Sequence, residues 1–269
     1  MVKQIKNFFK FDEELIEGII KSRKGQFILI VKIKDKEYNC HCPTTGGIGG
    51  IILKDIPCLL SKSDNSNRKT EFTVEAISLN KPSDKNKEWI GINQVKSNKY
   101  VEFFLKNGKF NKIFKNITDI KREIKLGDSK LDFLINNKCY MEVKSFLHHL
   151  SIKIPDYIQR RKKAKMYIGN RLIKHMGDLS KSLKKNQRAI LLFCFQYKAS
   201  NFGKEKIEEK DKKLIQNFDK IVKTIDEATK NGVELWQTNF SINKTGITFL
   251  DTFEMKPISL LNSNNNLNQ

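Results

Sequence analysis

The run Ala189–Tyr197 (AILLFCFQY) restricts the fold of this chain more than any other feature, because it is almost continuously apolar. It is far too short to cross a bilayer, which takes about 20 apolar residues in a helix. A run of this length fits a β-strand buried on both faces. A basic, helix-compatible stretch, Asp156–Arg188, precedes it, and Glu208–Asn231 follows with helical periodicity and a stop signal at Gly232. With Val233–Thr238 as the last strand, this half of the chain is predicted to form a layered α/β domain.

Further β-type segments lie upstream of the basic stretch, after a helix that we expect to begin near residue 94. The α/β domain is therefore expected to span residues 94–260. The polar residues 261–269 are expected to be a disordered tail. The three upstream strands are predicted at Ile120–Leu126, Lys130–Ile135 and Tyr140–Val143.

Residues 1–93 have a different texture, with short strands separated by turns and by the glycine-rich loop Pro43–Gly50. Strands at this spacing favour a small closed barrel, and a five-stranded oligonucleotide-binding (OB) barrel fits the length. The fold class is therefore two-domain, an OB-like β-barrel followed by an α/β domain. The barrel strands are predicted at Leu15–Lys21, Gln26–Lys34, Lys36–Cys40, Ile51–Leu60, Glu71–Leu79 and Glu88–Ile92.

The chain carries a large positive charge, with 51 Lys and Arg against 30 Asp and Glu, a formal net charge of +21. This excess favours a polyanionic partner, most of all nucleic acid, although a composition rich in Lys, Asn and Ile accounts for part of it. Residues 156–188 alone hold eleven Lys or Arg against two Asp. Solvated surface charge is the alternative. The candidate phosphate contacts are Arg160, Lys163, Arg171, Lys174 and His175 in this stretch, and Arg68 and Lys69 on the barrel, where Phe72 or Trp89 would stack bases unless they pack in the core.

A candidate catalytic group is formed by Asp132 on one predicted strand and by Glu142 and Lys144 on the next. Residues i and i+2 of a strand point to the same face, so Glu142 and Lys144 project together, and an antiparallel neighbour would place Asp132 beside them. Two carboxylates bind a divalent cation such as Mg²⁺, and Lys144 would activate a water for phosphodiester hydrolysis. Glu123 is a candidate further carboxylate. The alternative is that these charges only face solvent.

Six short motifs lie along nearly the whole chain: HCPTTG (41–46), SDNSNRK (63–69), EIKLGDSKLDF (123–133), MEVKS (141–145), IPD (154–156) and GVE (232–234). Together these motifs resemble the sugar fermentation stimulation protein A (SfsA) family. The resemblance implies an OB barrel fused to a PD-(D/E)xK nuclease-type domain, DNA binding, and a link to the expression of sugar-utilisation genes. It implies nuclease-core positions for Asp132, Glu142 and Lys144, with Glu123 as the auxiliary acid.

The chain departs from the family pattern at two places. Thr44 replaces the Asn of the family's HCPNTG loop. In the basic stretch, extra residues resembling an insertion separate Arg161 from Lys174 and His175. Either Arg161 or Arg171 therefore corresponds to the family's arginine, and both are candidate nucleic-acid contacts.

The function expected from these features is that of a DNA-binding protein with a nuclease-like metal site, and an active Mg²⁺-dependent nuclease is the alternative. A secretory signal or membrane span is not expected, and Phe8, Phe9 and Phe11 offer only a weak membrane-surface stripe. An odd set of five cysteines without framework spacing indicates a reducing compartment, most simply the cytoplasm, although an organelle is an alternative. A zinc site at Cys40, His41 and Cys42 is disfavoured by its tight spacing.

Overall fold

In the computed structural model, the described residues are 6–65, 67–126, 129–161, 170–183, 187–202 and 212–258. The predicted tail 261–269, the candidate Lys163 and the start of the helix predicted at Glu208–Asn231 lie outside these ranges. The described residues form two β-sheets, one for each half of the fold predicted from the sequence. No helix in these ranges is long and apolar enough to span a membrane.

Six strands form the first sheet, in the order β4-β3-β2-β5-β6-β7. Parallel pairing of β4 with β6, through Cys40–Phe72 and His41–Thr73, closes β2 to β6 into a five-stranded barrel, which confirms the predicted OB-type fold. Apolar side chains alternate along the strands and fill the barrel, among them Ile20. The strands are β2 (Ile16–Lys24), β3 (Ile28–Ile33), β4 (Lys36–His41), β5 (Pro57–Lys62), β6 (Phe72–Ile77) and β7 (Ile90–Gly91).

Seven strands form the second sheet, in the order β1-β13-β12-β11-β10-β9-β8. The apolar run of the sequence is its central strand, which lies parallel to both neighbours. The strands are β1 (Phe8–Lys10), β8 (Ile120–Leu126), β9 (Ser129–Ile135), β10 (Cys139–Lys144), β11 (Arg188–Phe195), β12 (Glu234–Ile242) and β13 (Gly246–Glu254).

Helices cover both faces of the second sheet. They are α1 (Ser97–Lys106), which follows a short 3-10 turn at Gln94–Lys96, α2 (Asn170–Ser182) and α3 (Lys212–Lys230). Ile190 and Leu192 of β11 pack in the apolar cluster that includes α1, whereas Leu191 and Phe193 pack in the cluster that includes α2 and α3. The prediction of a strand buried on both faces is confirmed.

One edge of the second sheet differs from the sequence prediction. Val233–Thr238 is not the last strand, because β13 follows it and pairs antiparallel with β12. The N-terminal strand β1 pairs with β13, so Phe8–Lys10 lies in the second sheet although residues 1–93 were assigned to the barrel. The division of the chain at residues 93 and 94 otherwise remains a prediction. Distant segments complete this edge of the sheet, and local patterns carry little information about such pairing.

Two segments that pair with each other differ from the sequence analysis. The predicted strand Ile51–Leu60 begins only at Pro57, and the helix-compatible stretch Asp156–Arg188 is an α-helix, in its described part, only over Asn170–Ser182. The main chain of residues 50–52 instead pairs with the main chain of residues 159–161: Ile52 N donates to Gln159 O at 2.8 Å, and Arg161 N donates to Gly50 O at 2.7 Å. This pairing holds Arg160 and Arg161 in an extended segment.

A buried polar contact joins the barrel to the second half of the chain. Gly91 N, on β7, donates to the carbonyl of Gln196 at 2.9 Å. A Cβ atom at position 91 would collide with the Gln196 side chain, so only glycine allows this approach. Nearby, buried Glu75 of β6 accepts hydrogen bonds from Asn93 at 2.8 Å and from Lys96 at 2.7 Å. The chain that connects the two sheets is therefore fixed by the main-chain hydrogen bond of Gly91 and by the side chain of Glu75.

Candidate metal centre

The candidate site lies where β9 and β10 stop pairing. Phe133 and Met141 are the last paired residues at this end of the two strands. Beyond them, the Asp132 carboxylate accepts a hydrogen bond from the main-chain N–H of Val143 at 2.8 Å, and Asn98 of α1 donates to its other oxygen at 2.7 Å. A side chain thus replaces the next rung of the ladder, which fixes the Asp132 carboxylate beside β10.

Glu142 is the most buried charged residue of the group, with 1% of its surface exposed. Its Oε1 accepts hydrogen bonds from Lys144 Nζ and from His175 Nδ1 of α2. Its Oε2 is buried and lacks a hydrogen-bond partner among the described residues. A buried carboxylate oxygen without a partner costs free energy, so this atom has room in its coordination for a cation or a water.

The electrostatics of the two carboxylates are coupled. Burial, and then the negative charge of Glu142, raise the pKa of Asp132. Burial would also raise the pKa of Glu142, but the hydrogen bond from His175 and the charge of Lys144 outweigh it and lower that pKa. Repulsion between two neighbouring carboxylates is the condition that a divalent cation relieves.

The residues present fit a divalent cation held by oxygen. Asp132 and Glu142 supply two carboxylates, and Glu142 Oε2 is free to bind. Within the described ranges, no group of three His, Cys, Asp or Glu side chains is close enough to form a complete ligand set. Main-chain and water oxygens would therefore complete the coordination, as is usual for Mg²⁺.

Glu123, the predicted auxiliary acid, is not brought to this group. Its main chain has a positive φ of 56°, and its exposed carboxylate pairs with Lys130. His148, which follows the site in sequence, packs instead over the main chain of Gly46. The positive φ interrupts the regular alternation of side chains along β8 at Glu123.

The predicted nucleic-acid contacts are distributed over three places. Arg68 and Lys69 are exposed in the loop between β5 and β6, and Arg160 and Arg161 are exposed in the extended segment. Lys174 lies on the exposed side of α2, and Arg171 lies in its first turn. His175 is 4% exposed and contacts Glu142, so the structure groups it with the carboxylates and not with the surface cations.

The two aromatic side chains considered for base stacking pack against the core, and the cysteine thiols are buried. Phe72 is buried and packs edge-on against Tyr38, and Trp89 packs against an apolar cluster. All five cysteines are free and buried. Burial raises the pKa of Cys40 to about 12 and also raises that of Cys42.

Asn98 is a site residue that the sequence analysis missed. It lies on α1 and bonds to Asp132, a residue 34 positions further along the chain. An asparagine in the helical stretch SNKY has no local feature that marks it as part of a site. Only the packing of α1 on the sheet brings it there.

Comparison with known proteins places the chain in a family. A profile described as the "Sugar fermentation stimulation protein RE domain" matches residues 95–246, more than half of the chain. The chain belongs to the SfsA family. A second SfsA profile, described as the N-terminal OB domain, matches residues 22–92. The resemblance and the fold predicted from the sequence are both confirmed.

Individual SfsA relatives match over most of their length. A sugar fermentation stimulation protein homolog of Pseudoalteromonas atlantica is 30% identical over 249 residues, which cover 89% of this chain and 96% of that protein. A homolog of a Synechococcus strain is 27% identical over 246 residues, covering 89% and 92%. The solved structure of Pyrococcus furiosus SfsA in complex with Ca²⁺ has a TM-score of 0.65 and 17% identity, covering 93% of this chain and 99% of that one. This structural likeness shows a shared fold.

Proposed function

We propose that this member of the SfsA family binds DNA and holds a divalent cation between Asp132 and Glu142, in a site of the PD-(D/E)xK nuclease type. The observation that carries the proposal is the buried Glu142 Oε2, which has no partner among the described residues and lies on the carboxylate that repels Asp132. The SfsA relative solved with Ca²⁺ is consistent with a divalent cation, and Mg²⁺ is the cation that we expect here.

The residues around this site would have different roles. A bound divalent cation would stabilise negative charge that develops on a phosphate. Asp132 is kept in position by Asn98 and by the main chain of β10, so the cation would not have to order it. His175 fixes the orientation of Glu142, and Lys144 supplies a second positive charge within reach of the same carboxylate.

Binding of DNA would rest mainly on charge. The net charge of +21 and the exposed cations Arg68, Arg160, Arg161 and Lys174 favour a phosphate backbone. The affinity is then expected to fall steeply as salt rises, because bound phosphates release counterions. A role in the control of sugar-utilisation genes, in a reducing compartment such as the cytoplasm, completes the proposal.

An active Mg²⁺-dependent nuclease is the second candidate, and Lys144 is the observation that favours it. Its side chain is 22% exposed, whereas its partner Glu142 is 1% exposed, so the ammonium lies at the border between the buried carboxylate and solvent. A lysine at this position is placed to orient or activate a water that attacks a phosphate.

Substitution of Lys144 separates the two candidates. Purified wild type, Lys144→Ala and the control Lys138→Ala are incubated with single-stranded and duplex DNA and with RNA, in Mg²⁺ and in EDTA. Lys138 is exposed in the turn that leads into β10, at the opposite end from Lys144. If the protein is a nuclease, Lys144→Ala should lower cleavage at least 100-fold and leave DNA affinity within about threefold of wild type.

The remaining outcomes are equally decisive. If wild type binds DNA and cleaves none of the substrates, the protein is a binding module with a metal site. If wild type binds no DNA at low salt, the proposal of a DNA-binding protein is wrong. Equal loss of cleavage in Lys138→Ala and Lys144→Ala would assign the effect to charge and not to the site.

A further inference from the structure

An exposed aromatic pair, distinct from Phe72 and Trp89, lies on the barrel. Phe27 precedes β3 and is 50% exposed, although phenylalanine is ordinarily buried. Its ring is parallel to that of His41, at the end of β4, with an angle of 6° between the planes and 6.5 Å between the ring centroids. Two parallel rings at the barrel surface offer flat faces of the kind on which nucleobases stack.

The barrel fixes the main chain of both residues. The Phe27 carbonyl accepts a hydrogen bond from Cys42 N at 2.7 Å, and Ile28 pairs with His41 across the two strands. Burial, and then the positive charge of Arg68, lower the pKa of His41. The imidazole is therefore neutral at physiological pH and behaves as a flat aromatic ring instead of a second cation.

Arg68 supplies a fixed positive charge beside the pair. Its guanidinium donates to the Thr73 hydroxyl at 3.0 Å, on the strand that pairs with the end of β4. The residue is exposed, and Thr73 is the partner of His41 across the parallel strands β4 and β6, which locates the guanidinium next to the pair. An arginine anchored by neutral hydroxyls, with its charge not cancelled by them, is suited to a phosphate oxygen.

The loop that follows His41 connects this surface to the metal centre. Gly46 packs under His148, and Gly49 N donates to Leu147 O at 2.7 Å. Both contacts are with the chain that leaves β10 directly after Lys144. Nucleic acid that stacks on Phe27 and His41 would therefore be bound by the barrel, whose glycine-rich loop contacts the chain directly after Lys144.

We infer that Phe27 and His41 stack an unpaired base of single-stranded DNA while Arg68 contacts the adjacent phosphate. The inference rests on the proposed function and adds to it a substrate class, because a base inside a duplex is already stacked and cannot reach these rings. A flat aromatic face beside an anchored cation matches both halves of a nucleotide, the base and its phosphate.

The test compares Phe27→Ala, Phe27→Trp and the control Leu250→Ala by fluorescence anisotropy with a labelled 20-nucleotide oligo(dT), and with a duplex of mixed sequence, in EDTA. Leu250 is a 41% exposed apolar residue on β13 of the other sheet. Phe27→Ala should weaken binding of oligo(dT) about 5- to 150-fold, the range expected for one stacked base, and should change duplex binding less than twofold. Phe27→Trp should retain the affinity, and its emission should be quenched by oligo(dT).

The results separate this inference from the proposed function. If wild type binds oligo(dT) and Phe27→Ala binds it equally well, stacking on Phe27 is wrong and DNA binding stands. If Phe27→Ala weakens oligo(dT) and duplex by the same factor, or Leu250→Ala weakens oligo(dT) as much, the base-stacking role is also wrong. If wild type binds neither DNA, the proposed function itself fails. Thermal unfolding of each variant confirms that the compared proteins are folded.

Discussion

At the scale of single residues, burial and pairing together decide the chemistry of the two site carboxylates. Glu142 is almost fully buried, yet Lys144 and His175 keep its pKa low, so it stays ionised. Among the described residues, Asp132 accepts its hydrogen bonds from neutral donors, the amide of Asn98 and a main-chain N–H, and its pKa is raised. Because the positively charged partner bonds to Glu142 and not to Asp132, we expect a divalent cation to relieve the repulsion between the two carboxylates.

Replacement of Asp132 tests whether the two carboxylates bind a divalent cation. Asp132→Asn keeps an oxygen to accept the hydrogen bond from Val143 but removes one negative charge from the site. We expect the affinity for Ca²⁺ and Mg²⁺, measured by isothermal titration calorimetry, to fall at least tenfold. Removal of the cation with EDTA should lower the melting temperature of wild type and leave that of the variant unchanged. The control is Asp119→Asn, at a partly exposed position before β8. A variant that binds Ca²⁺ as tightly as wild type would exclude Asp132 as a ligand.

At the scale of elements, the end of α3 is set by a local sequence signal, and the starts of β11 and β12 are joined by an ion pair. The helix ends at Lys230, and Gly232 follows with a φ of 97°, as the stop signal in the sequence predicted. Directly after this turn, Glu234 receives two hydrogen bonds of 2.7 Å from Arg188, which begins β11. The start of β12 is thereby tied to the start of its parallel neighbour.

This ion pair has a defined pH dependence. Burial would raise the pKa of Glu234, but the hydrogen bond from Arg188 and its charge lower it below 4.5. A lowered pKa means that the pair contributes its full stability above pH 4.5 and loses it as the pH falls through the folded-state pKa. Glu234→Gln should lower the free energy of unfolding at pH 7 by about 1 kcal/mol, because both side chains are partly exposed.

Urea denaturation between pH 3 and 7 measures this effect. The difference between wild type and Glu234→Gln should shrink below pH 4.5 and approach zero once the carboxyl is protonated. The control Glu227→Gln, at an exposed position on α3, should stay within about 0.5 kcal/mol of wild type at every pH. A difference that is constant down to pH 3 would show that the charge of Glu234 is not the cause.

At the scale of the whole molecule, a small set of buried polar residues fixes the barrel against the second sheet. Glu75 is 2% exposed and accepts hydrogen bonds from Ser61, Asn93 and Lys96. Asn93 and Lys96 lie in the segment that joins the barrel to α1, and α1 carries Asn98 to Asp132. The position of the barrel is thus linked through one short segment to the candidate metal centre.

Glu75→Ala should therefore destabilise the protein and loosen the connection. It leaves Asn93, which is buried, and two partly exposed donors without an acceptor, which we expect to cost about 2–4 kcal/mol in urea denaturation. The matched control is Glu71→Ala, since Glu71 and its partner Lys62 are about half exposed, and it should cost less than about 0.5 kcal/mol. Equal effects of the two substitutions would contradict the role given to burial.

The sequence by itself was sufficient for features that depend on neighbours along the chain. Strand alternation and turn residues predicted most of the barrel, the apolar run predicted the central strand, and the spacing of Glu142 and Lys144 predicted that they project together. These features are local because the strand period and the preference for glycine at positive φ act within a few residues. The joint motifs also identified the family.

Tertiary structure alone decided what depends on contacts between distant segments. The pairing of β1 with β13, the extended course of residues 159–161 along the glycine-rich loop, and the arrival of Asn98 and His175 at the two carboxylates each join parts of the chain far apart in sequence. Which polar side chain is buried, and against what, is set by the packing of whole helices and sheets. No local sequence pattern predicts that packing. It places His175 beside Glu142 and not among the surface cations, and it leaves Glu123 outside the site.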